Sequence, residues 1–439
     1  MAESSLPAGG SRREFLKTSS LAVAGGAALA STFAARSVHA GVDDALKVAV
    51  VGCGGRGTGA VRDALTSTGN CKLVAMADAF ENRLQGSWNE LKQVEEIKDK
   101  LDVTPERQFV GLDAYQQAIN SGCDVVILAT PPGFRPIHLA AAIAAGKHVF
   151  MEKPVATDAP GVRSVLASAA EAKKKGLGIG VGLQRRHQNV YLETMKRLHD
   201  GAIGDIILAR AYWNGTTPWV RKREPGQSEM EYQVNNWYFF NWLSGDHIVE
   251  QHIHNLDVIN WLKNGYPTKA QGVGGRQVRV GPEFGEIFDH HMIEFEYADG
   301  TKCLSECRHQ EGTWGEVAEY AHGTKGKVNI GAGRIEGPNN WRFRGQDNAP
   351  YVQEHSDLYA SIRAGSPQNE GENGAKSTMT AIFGRMATAS GKALNWEECL
   401  NSQINLQPEQ YTWDALPKPK VDPKTGLYPC AIPGISQVV

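Results

Sequence analysis

The sequence has 439 residues, of which 41% are hydrophobic and 21% are charged. This balance is typical of a globular protein, and the length is sufficient for two domains. The formal net charge of −2 gives no support to a nucleic-acid partner or to binding at a charged membrane surface. The seven cysteines show neither a CxxC pair nor zinc-ribbon spacing, so we expect no disulfide framework and no zinc ribbon.

The N-terminal residues 1–40 resemble an export signal rather than part of a fold. Residues 11–17 read Ser-Arg-Arg-Glu-Phe-Leu-Lys, which resembles the twin-arginine signal, and a mildly apolar stretch follows. Val38-His39-Ala40 then offers a small-residue cleavage site. The apolar stretch is too short and too rich in Gly, Ser and Ala to span a membrane. We therefore expect a mature chain that begins near Gly41, has no membrane span, and is periplasmic or otherwise exported through the twin-arginine pathway.

A glycine-rich turn follows the first strongly apolar strand of the chain. Gly52, Gly54 and Gly57 have the spacing G-x-G-x-x-G, which permits a tight turn, a close phosphate approach and close helix packing. A second apolar strand, at 72–77, ends at Asp78, where an acid binds the ribose hydroxyls of a dinucleotide. A carboxylate there repels a 2′-phosphate. The sequence therefore predicts NAD as the cofactor and disfavours NADP.

Export has a consequence for this cofactor. The twin-arginine route carries proteins that are already folded, so a nucleotide can be loaded in the cytoplasm and carried across the membrane with the protein. Free NAD is not expected outside the inner membrane. We therefore expect the protein to hold its NAD tightly and to restore it within each catalytic cycle.

Strands and helices alternate through residues 46–183, which predicts a doubly wound parallel sheet in an α/β fold. Such sheets bind ligands beyond the carboxyl ends of their strands. The residues at the predicted ends are Gly52, Asp78, Thr130 and Lys153. A lysine held against a bound nicotinamide can relay a proton from a hydroxyl that is being oxidised. Lys153, within Glu152-Lys153-Pro154, is therefore a candidate catalytic residue.

Residues 184–395 predict a second α/β domain with an open, mostly antiparallel sheet and few helices. The strand-like runs are 206–212, 272–280, 292–297, 302–307, 317–320 and 327–330. Asp299-Gly300 predicts a hairpin between two of them. The basic cluster in Trp219–Arg223 is followed by glutamates, which indicates a solvated loop. The proline-rich residues 396–439 predict an irregular tail over the surface or onto a neighbouring subunit.

A predicted helix from about 246 to 262 collects acids and histidines on one side. At 100° per residue, one narrow polar arc contains His247, Glu250, His254 and Asp257. A carboxylate beside a histidine fixes its tautomer and raises its basicity, which suits general acid–base catalysis. In a rival interpretation, His247, Glu250 and His254 converge on a metal ion. We expect no metal, because hydride transfer assisted by a lysine needs none.

The motifs in their order resemble those of the Gfo/Idh/MocA oxidoreductase family over residues 46–395. Those of the first half are Gly52–Gly57, Ala129-Thr130-Pro131-Pro132 with His138 downstream, and Ala145–Val149 running into Glu152-Lys153-Pro154. Those of the second half are Gly201–Asp205, His254–Asp257 and Gly323–Gly326. Together and in this order, the six motifs are highly specific.

The resemblance implies a Rossmann domain and an α/β domain whose open sheet often mediates a homo-oligomer, here a dimer or tetramer. It implies NAD(P)-dependent oxidation or reduction of a small carbohydrate, cyclitol or related polyol. It also implies a catalytic lysine with an acid and a histidine spaced D-x-x-x-H, which correspond to Lys153, Glu250 and His254. The acid is Glu here, so its charge is kept but displaced by one methylene. Exported members of the family keep their nucleotide bound.

The predicted contacts of cofactor and substrate come from these motifs and from the aromatic segment at 237–242. The nucleotide is expected to contact Gly52, Gly54, Arg56, Gly57, Asp78, Thr130, Pro131, His138 and Glu152. The substrate is expected to contact Arg185, Trp237, Trp242, His247 and Asp257. In the predicted reaction the hydroxyl proton passes to His254, assisted by Lys153 and Glu250, while the hydride passes to NAD.

Two alternatives remain open. NAD-dependent glycosidases of this fold oxidise a ring hydroxyl transiently, eliminate the aglycone, add water and reduce the product, with no net use of cofactor. Export favours this alternative, whereas the intact Glu152-Lys153-Pro154 motif fits the ordinary dehydrogenases better. The other alternative is a binding protein that kept the fold without turnover. The presence of Lys153, Glu250 and His254 argues against it.

Overall fold

The computed structural model describes residues 44–439, so the predicted export signal and its cleavage position lie outside the described residues. Two sheets organise residues 46–395, one with six strands and one with nine. Within the described part of the chain, we find no helix that combines the length and the apolar character needed to cross a membrane.

The six-stranded sheet is parallel, with the strand order β3-β2-β1-β4-β5-β6. Its strands are β1 (Leu46–Val51), β2 (Cys71–Asp78), β3 (Gln108–Val110), β4 (Val125–Leu128), β5 (His148–Met151) and β6 (Ile179–Val181). Apart from the exposed Lys47 near the start of β1, the central strands β1 and β4 are apolar and buried, as strands covered on both faces must be. The predicted doubly wound sheet is confirmed, and its order reverses between β1 and β4, where such sheets bind ligands.

One α-helix lies in each connection between successive strands of this sheet. These helices are α1 (Gly55–Thr66), α2 (Glu81–Leu91), α3 (Ala114–Ile119), α4 (Arg135–Ala144) and α5 (Ala159–Lys174). Asp158 caps α5 as predicted, because its Oδ1 accepts a hydrogen bond of 2.8 Å from the backbone N–H of Gly161. These connections bring the carboxyl ends of all six strands to one edge of the sheet.

The nine-stranded sheet has the order β14-β13-β12-β11-β7-β10-β9-β8-β15, and every neighbouring pair is antiparallel except β7 with β10. Its strands are β7 (Ile206–Gly215), β8 (Lys269–Gly275), β9 (His290–Glu296), β10 (Lys302–His309), β11 (Glu316–Gly323), β12 (Gly326–Asn329), β13 (Arg334–Glu336), β14 (Trp341–Arg342) and β15 (Leu394–Asn395). Buried residues alternate along β10, so one face packs inward and the other faces outward. The predicted open, mostly antiparallel sheet is confirmed.

The second half contains more helices than the sequence predicted. They are α6 (Asn189–His199), α7 (Glu229–Asn235), α8 (Asn241–Ser244), α9 (His247–Glu250), α10 (Ile253–Lys263), α11 (Pro350–Arg363), α12 (Gly371–Ser390) and α13 (Trp396–Leu400). The longest, α12, packs on β8, β9 and α5 and so joins the two sheets. The expectation of few helices is therefore wrong. Tertiary burial, rather than a clear amphipathic pattern, stabilises short helices such as α7 and α8.

The single helix predicted for residues 246–262 is also wrong, because it is broken between α9 and α10. Asp246, with φ +76°, caps α9 and accepts a bond of 2.6 Å from the His247 N–H. The buried His252 lies in the break, and its Nε2 is 2.8 Å from Ser305 Oγ on β10. This contact ties the break to the nine-stranded sheet.

The tail after α13 has no helix or strand in the described chain, as predicted, and it packs against the first half of its own chain. The Arg163 guanidinium donates to the carbonyl oxygens of Leu400 and Ser402 at 2.6 and 2.8 Å. The Leu406 N–H donates to Asp158 Oδ2 at 2.8 Å. Beyond these bonds, aromatic residues of the tail stack against residues that border the site described next.

Candidate nucleotide and proton-transfer site

The three glycines of the first turn have three different structural roles: one adopts a positive φ, one allows close helix packing and one leaves space beside the backbone. Gly52 has φ +99°, a conformation that L side chains rarely adopt. A Cβ on Gly57 would lie 1.8 Å from the Gly52 carbonyl oxygen, so the close packing of α1 on β1 requires glycine there. A Cβ on Gly54 would meet nothing within 4 Å. Gly54 therefore faces open space beside the N-terminus of α1, where free N–H groups bind phosphate.

A cavity of about 310 Å³ opens at this turn, beyond the carboxyl ends of the parallel strands. The predicted residues that line it are Gly52, Gly54, Arg56, Asp78, Thr130, Pro131, His138 and Trp237. Trp237 was predicted as a substrate contact, and the structure brings it to the nucleotide end. Glu152 does not line this cavity, because its Oε1 lies 2.7 Å from Arg56 Nε in an ion pair. Size and lining suit an extended nucleotide.

The Asp78 carboxylate is bonded to the backbone of the cavity wall. Its Oδ2 accepts a hydrogen bond of 2.6 Å from the Cys53 N–H, and its Oδ1 accepts one of 2.9 Å from the Phe80 N–H. Burial raises the pKa of Asp78, and these two bonds oppose that rise. Each oxygen keeps a further lone pair for a ribose hydroxyl, so Asp78 both holds the turn and remains able to bind a sugar.

His138 is held neutral at the other end of the cavity. It is buried, its Nδ1 is hydrogen-bonded to Thr130 Oγ1 at 3.2 Å, and its ring stacks on Tyr115 with centroids 4.2 Å apart. Burial and the nearby Arg135 lower the pKa of His138 to about 3. The Arg135 guanidinium donates in turn to the Leu128 and Thr130 carbonyl oxygens at 2.7 and 2.8 Å. These bonds fix the shape of the wall after β4.

Lys153 and Glu250 meet across the two halves of the chain. The Lys153 ammonium, just beyond β5, donates to Glu250 Oε1 at 2.9 Å and to the Glu250 carbonyl oxygen at 2.5 Å. The two side chains are 13% and 14% exposed, so they are mostly withdrawn from solvent but reachable by a ligand. The break after α9 leaves the Glu250 carbonyl oxygen free to accept the second bond.

His254, near the start of α10, completes this group. Burial, followed by the positive charges of Lys153, Arg185 and Arg56, lowers the pKa of His254 well below its ordinary value. Its ring stacks with Trp213 at a centroid distance of 6.0 Å, and its Nδ1 has no hydrogen-bond partner. A neutral imidazole beside an ammonium group is able to accept a proton from a hydroxyl.

Arg185 lies near His254, and its side chain is already bound by other groups of the protein. Its guanidinium forms an ion pair with the fully buried Glu319 and lies over the rings of Trp213 and Tyr191, 6.0 and 5.7 Å from their centroids. Arg185 therefore orders the wall that carries Trp213. Its side chain is 13% exposed, so a small part of it remains accessible to a substrate.

Two predicted substrate residues, Trp242 and Asp257, are buried, and their polar groups are hydrogen-bonded to other groups of the protein. Trp242 is fully buried, and its Nε1 donates to Gln233 Oε1 at 2.7 Å. Asp257 accepts from Arg186 Nε and Nη2 at 2.8 and 2.9 Å and from Ser377 Oγ at 2.7 Å. The structure does not bring them to the cavity, because the break before α10 directs Asp257 into the interface with α12.

His247 is separated from Glu250 and His254, which were predicted to share its arc. It is fully buried, and its Nδ1 donates to Asp246 Oδ1 at 2.7 Å. Burial, partly opposed by Asp246, lowers the pKa of His247 to about 4. Among the described residues, the donor atoms of His247, Glu250 and His254 do not form a convergent group, and the break lies between Glu250 and His254.

A different trio does come together. Donor atoms of Asp246, His247 and His291 lie within 4.8 Å of one another. However, the Asp246 oxygens already accept from two N–H groups of His247 and from the Phe288 N–H at 2.9 Å. The positive charge of Arg279 also acts on this group. The arrangement is that of a buried hydrogen-bond network that anchors α9.

The sequence interpretation missed one wall of the cavity. Trp219 and Arg221 line it together with Arg83 of α2, so a solvated loop is the wrong description of Trp219–Arg223. The signal was the alternation of an aromatic and a basic residue within the cluster, which resembles a ligand-binding segment as much as a solvated one. The segment covers the nucleotide cavity from the second half of the chain.

A Rossmann-type sheet, a glycine turn facing an open cavity and an apposed lysine, carboxylate and histidine define a two-part dinucleotide-binding protein. The comparison with family models agrees with this class. The chain belongs to the GFO/IDH/MocA family: residues 46–182 match the model described as "Oxidoreductase family, NAD-binding Rossmann fold", and residues 191–329 match the GFO/IDH/MocA C-terminal domain. The predicted family and the NAD-binding assignment are confirmed.

Several characterised proteins are similar to this chain. Scyllo-inositol 2-dehydrogenase (NAD(+)) of Bacillus subtilis is 24% identical over 298 residues, 65% of this chain and 74% of the relative. The 2,7-anhydro-N-acetylneuraminate hydratase of Escherichia coli is 26% identical over 270 residues, 61% of this chain and 68% of the relative. Such matches span from 51% to 74% of the curated relatives' own lengths.

Solved structures share the fold. The aldose-aldose oxidoreductase from Caulobacter crescentus, complexed with glycerol, aligns with a TM-score of 0.64 at 20% identity, covering 80% of this chain and 100% of that one. The myo-inositol 2-dehydrogenase from Lactobacillus plantarum aligns with a TM-score of 0.60 at 22% identity, covering 80% and 99%. At these identities the similarity establishes the fold.

Proposed function

We propose that the protein transfers a hydride between a hydroxyl-bearing carbon of a cyclitol, sugar or related polyol and a tightly held NAD. The observation that carries this proposal is the contact of Lys153 with Glu250, 97 positions apart in sequence, beside a neutral His254. Family membership and the names of the inositol dehydrogenases among the relatives support the substrate class.

In this proposal the residues divide the work of moving one proton. His254, kept neutral by its surroundings, accepts the hydroxyl proton. The Lys153 ammonium stabilises the negative charge that develops on the oxygen, and Glu250 holds that ammonium in position. A nicotinamide dinucleotide held at the cavity wall would supply the acceptor for the hydride from the same carbon. Gly54, Asp78, Thr130 and His138 are proposed to hold the nucleotide at the cavity wall.

The test begins with the purified protein. Mass spectrometry of the denatured protein is expected to detect one dinucleotide per chain. Mixing with a panel of inositols, aldoses and polyols is expected to raise the absorbance of reduced nicotinamide. A bound dinucleotide that no member of the panel reduces would overturn the proposed reaction and support the binding-protein alternative.

A second candidate is a redox-neutral reaction, in which the same hydroxyl is oxidised and later reduced while an elimination or hydration takes place. One observation favours it: two of the similar proteins are named 2,7-anhydro-N-acetylneuraminate hydratases. Release of nitrophenol from aryl glycosides, with no net change in the bound nicotinamide, would support this candidate over the dehydrogenase.

We propose further that the protein is exported through the twin-arginine pathway. The sequence Arg12-Arg13 and its context support this. Replacing both arginines by lysine is expected to leave the protein in the cytoplasm, and fractionation of the cells checks this. Correct export of the double variant would contradict it.

We propose that the protein forms a homo-oligomer, a dimer or a tetramer, and that the open face of the nine-stranded sheet is its interface. Val273 and Met292 pair across β8 and β9 on that face and are 70% and 36% exposed. Exposed apolar neighbours of this kind favour association. Light scattering after gel filtration is expected to give more than one chain per particle, and Val273→Glu is expected to reduce that number.

A further inference from the structure

Two arginines of the nucleotide cavity have no acidic partner among the described residues. Arg83 of α2 and Arg221, between β7 and α7, both line the cavity. Arg56, the third arginine of the lining, is paired with Asp63 and Glu152 at 3.1 and 2.7 Å. Within residues 44–439, by contrast, no carboxylate oxygen lies within 4.0 Å of the Arg83 or Arg221 nitrogens. We name Arg83 and Arg221 the arginine pair.

The arginine pair is a local excess of positive charge. Asp78 is the one acid among the described lining residues, and both of its oxygens already accept backbone hydrogen bonds. Burial and the nearby charge of Arg83 lower the pKa of Arg221 to about 10, so the guanidinium stays charged at neutral pH. Asp78 interacts with the charge of Arg83, so the lining keeps one positive charge in excess. That excess fits an anionic ligand that supplies the missing negative charge.

The Arg221 side chain is fixed in position before any ligand arrives. Its Nη1 donates to the Asn235 carbonyl oxygen at 2.6 Å, and its backbone N–H donates to Asn236 Oδ1 at 2.9 Å. Its guanidinium carbon lies 4.3 Å from the centroid of the Trp219 ring. A guanidinium held on one edge and stacked on one face keeps its other N–H groups available, and little side-chain entropy is lost when they bind.

We propose that Arg83 and Arg221 form a clamp on phosphate oxygens of the dinucleotide, with Arg221 closing the cavity from the second half of the chain. This inference rests on the proposed function, which supplies the dinucleotide. Planar guanidinium groups bind phosphate with paired hydrogen bonds. Gly54 and the N-terminus of α1 line the same cavity and offer backbone N–H groups to the same kind of ligand. The arginine pair would thus add side-chain donors to these backbone donors.

The clamp accounts for retention of the nucleotide. Arg221 lies on the segment that covers the cavity, so its bonds to phosphate must break before the nucleotide leaves. The phosphate has two possible sources, the pyrophosphate common to both dinucleotides and the 2′-phosphate of NADP. Both have the same chemistry, and the choice of ligands in the test distinguishes them.

The test measures release of the bound nucleotide. The purified protein is loaded with NADH, and the loss of its fluorescence is followed after excess NAD is added. Arg221→Ala and Arg83→Ala are each expected to accelerate release by about tenfold or more, as loss of a charged hydrogen bond does. Arg62→Ala, which removes an exposed arginine of α1 outside the cavity lining, serves as the matched control and is expected to release NADH at the wild-type rate.

Two further ligands identify the group that is held. Equal acceleration for NADH and NADPH assigns the clamp to the pyrophosphate, and a larger effect for NADPH assigns it to the 2′-phosphate. Adenosine, which has no phosphate, is expected to bind all variants equally. Wild-type release from both alanine variants would overturn the clamp, and so would adenosine binding that weakens as much as NADH binding. A wild-type protein that binds neither dinucleotide would overturn the proposed function itself, so the two failures are distinguishable.

Discussion

The two walls of the candidate site are built in different ways. The glycine-turn wall is local: Gly52, Gly54 and Gly57 lie within six positions, and Asp78 reaches back to Cys53 across 25. The wall formed by α9 and α10 depends on distant contacts, such as Lys153 to Glu250 across 97 positions. A local wall follows from backbone rules that a sequence displays. A wall made by distant contacts follows from packing, which the spacing of residues does not encode.

The largest effect is expected where the two walls meet. Lys153→Ala removes the ammonium that bonds Glu250 at 2.9 Å, and turnover of the best substrate is expected to fall by about 10²- to 10⁴-fold. NAD content should stay at the wild-type level, because Lys153 does not line the nucleotide cavity. Rapid-mixing absorbance of reduced nicotinamide measures the rate. The matched control is Lys72→Ala, which breaks an exposed ion pair with Asp102; full turnover by Lys153→Ala would remove Lys153 from the reaction.

The second prediction concerns Asp257, which the helical periodicity placed on the same polar arc as Glu250 and His254 but which the structure buries elsewhere. Asp257→Asn leaves Arg186 without its partner in a mostly buried ion pair, and the free energy of unfolding is expected to fall by about 3–5 kcal/mol. Urea unfolding measures the loss. Asp102→Asn, at a solvent-exposed ion pair, is the control and should cost about 1 kcal/mol or less. A raised KM with unchanged stability would instead make Asp257 a substrate residue.

The fold was largely predictable because its signals are local. The alternation of buried apolar runs with helices predicted a parallel, doubly wound sheet, and the glycine spacing predicted the position of the cavity. The break after α9 was not predictable from periodicity, because the contact that holds it is tertiary: His252, in the break, bonds to Ser305 on β10. This one break explains why Glu250 meets Lys153 while Asp257 is buried.

The place of Trp219–Arg223 in the cavity wall was not predicted either. Basic residues followed by glutamates are typical of a solvated loop, and only the fold shows that Arg221 turns inward onto Asn235. Helix α11 was missed as well, although it begins at Pro350, a residue favoured at the first helical position. Helix α11 packs on α1, which is far away in the sequence, whereas Arg221 is held by Asn235 and Asn236, 14 and 15 positions away.

The third prediction concerns pH and the junction of the two halves. Burial lowers the pKa of His187, but hydrogen bonds to Asp357 and Glu370 outweigh it and raise the pKa from 6.5 to about 9. A raised pKa in the folded state stabilises the protein fully below pH 6.5, and that stability is lost as pH rises through about 9. The loss is expected to be roughly 3 kcal/mol.

Urea unfolding between about pH 5.5 and about pH 10 checks this, because that range extends roughly one unit beyond each end of the expected window. His187→Gln is expected to abolish the pH dependence assigned to this group. His199→Gln, at an exposed histidine bonded to the Trp261 carbonyl oxygen, serves as the control and should keep it. An unchanged slope in His187→Gln would show that other groups cause the loss.

The smallest effect tests position 250, where this chain keeps the family spacing but has Glu in place of Asp. Glu250→Asp withdraws the carboxylate by one methylene, so the contact of 2.9 Å with Lys153 lengthens, while the bond of 2.5 Å from Lys153 to the Glu250 carbonyl oxygen is kept. Because the ammonium keeps one of its two anchors, turnover is expected to fall only about tenfold, less than a full displacement of a catalytic group would cost. Glu90→Asp, at an exposed glutamate of α2, is the control. A Glu250→Asp enzyme that is faster than the wild type would contradict this prediction. It would mean that the described distance between the Glu250 carboxylate and the Lys153 ammonium is not the one that turnover requires.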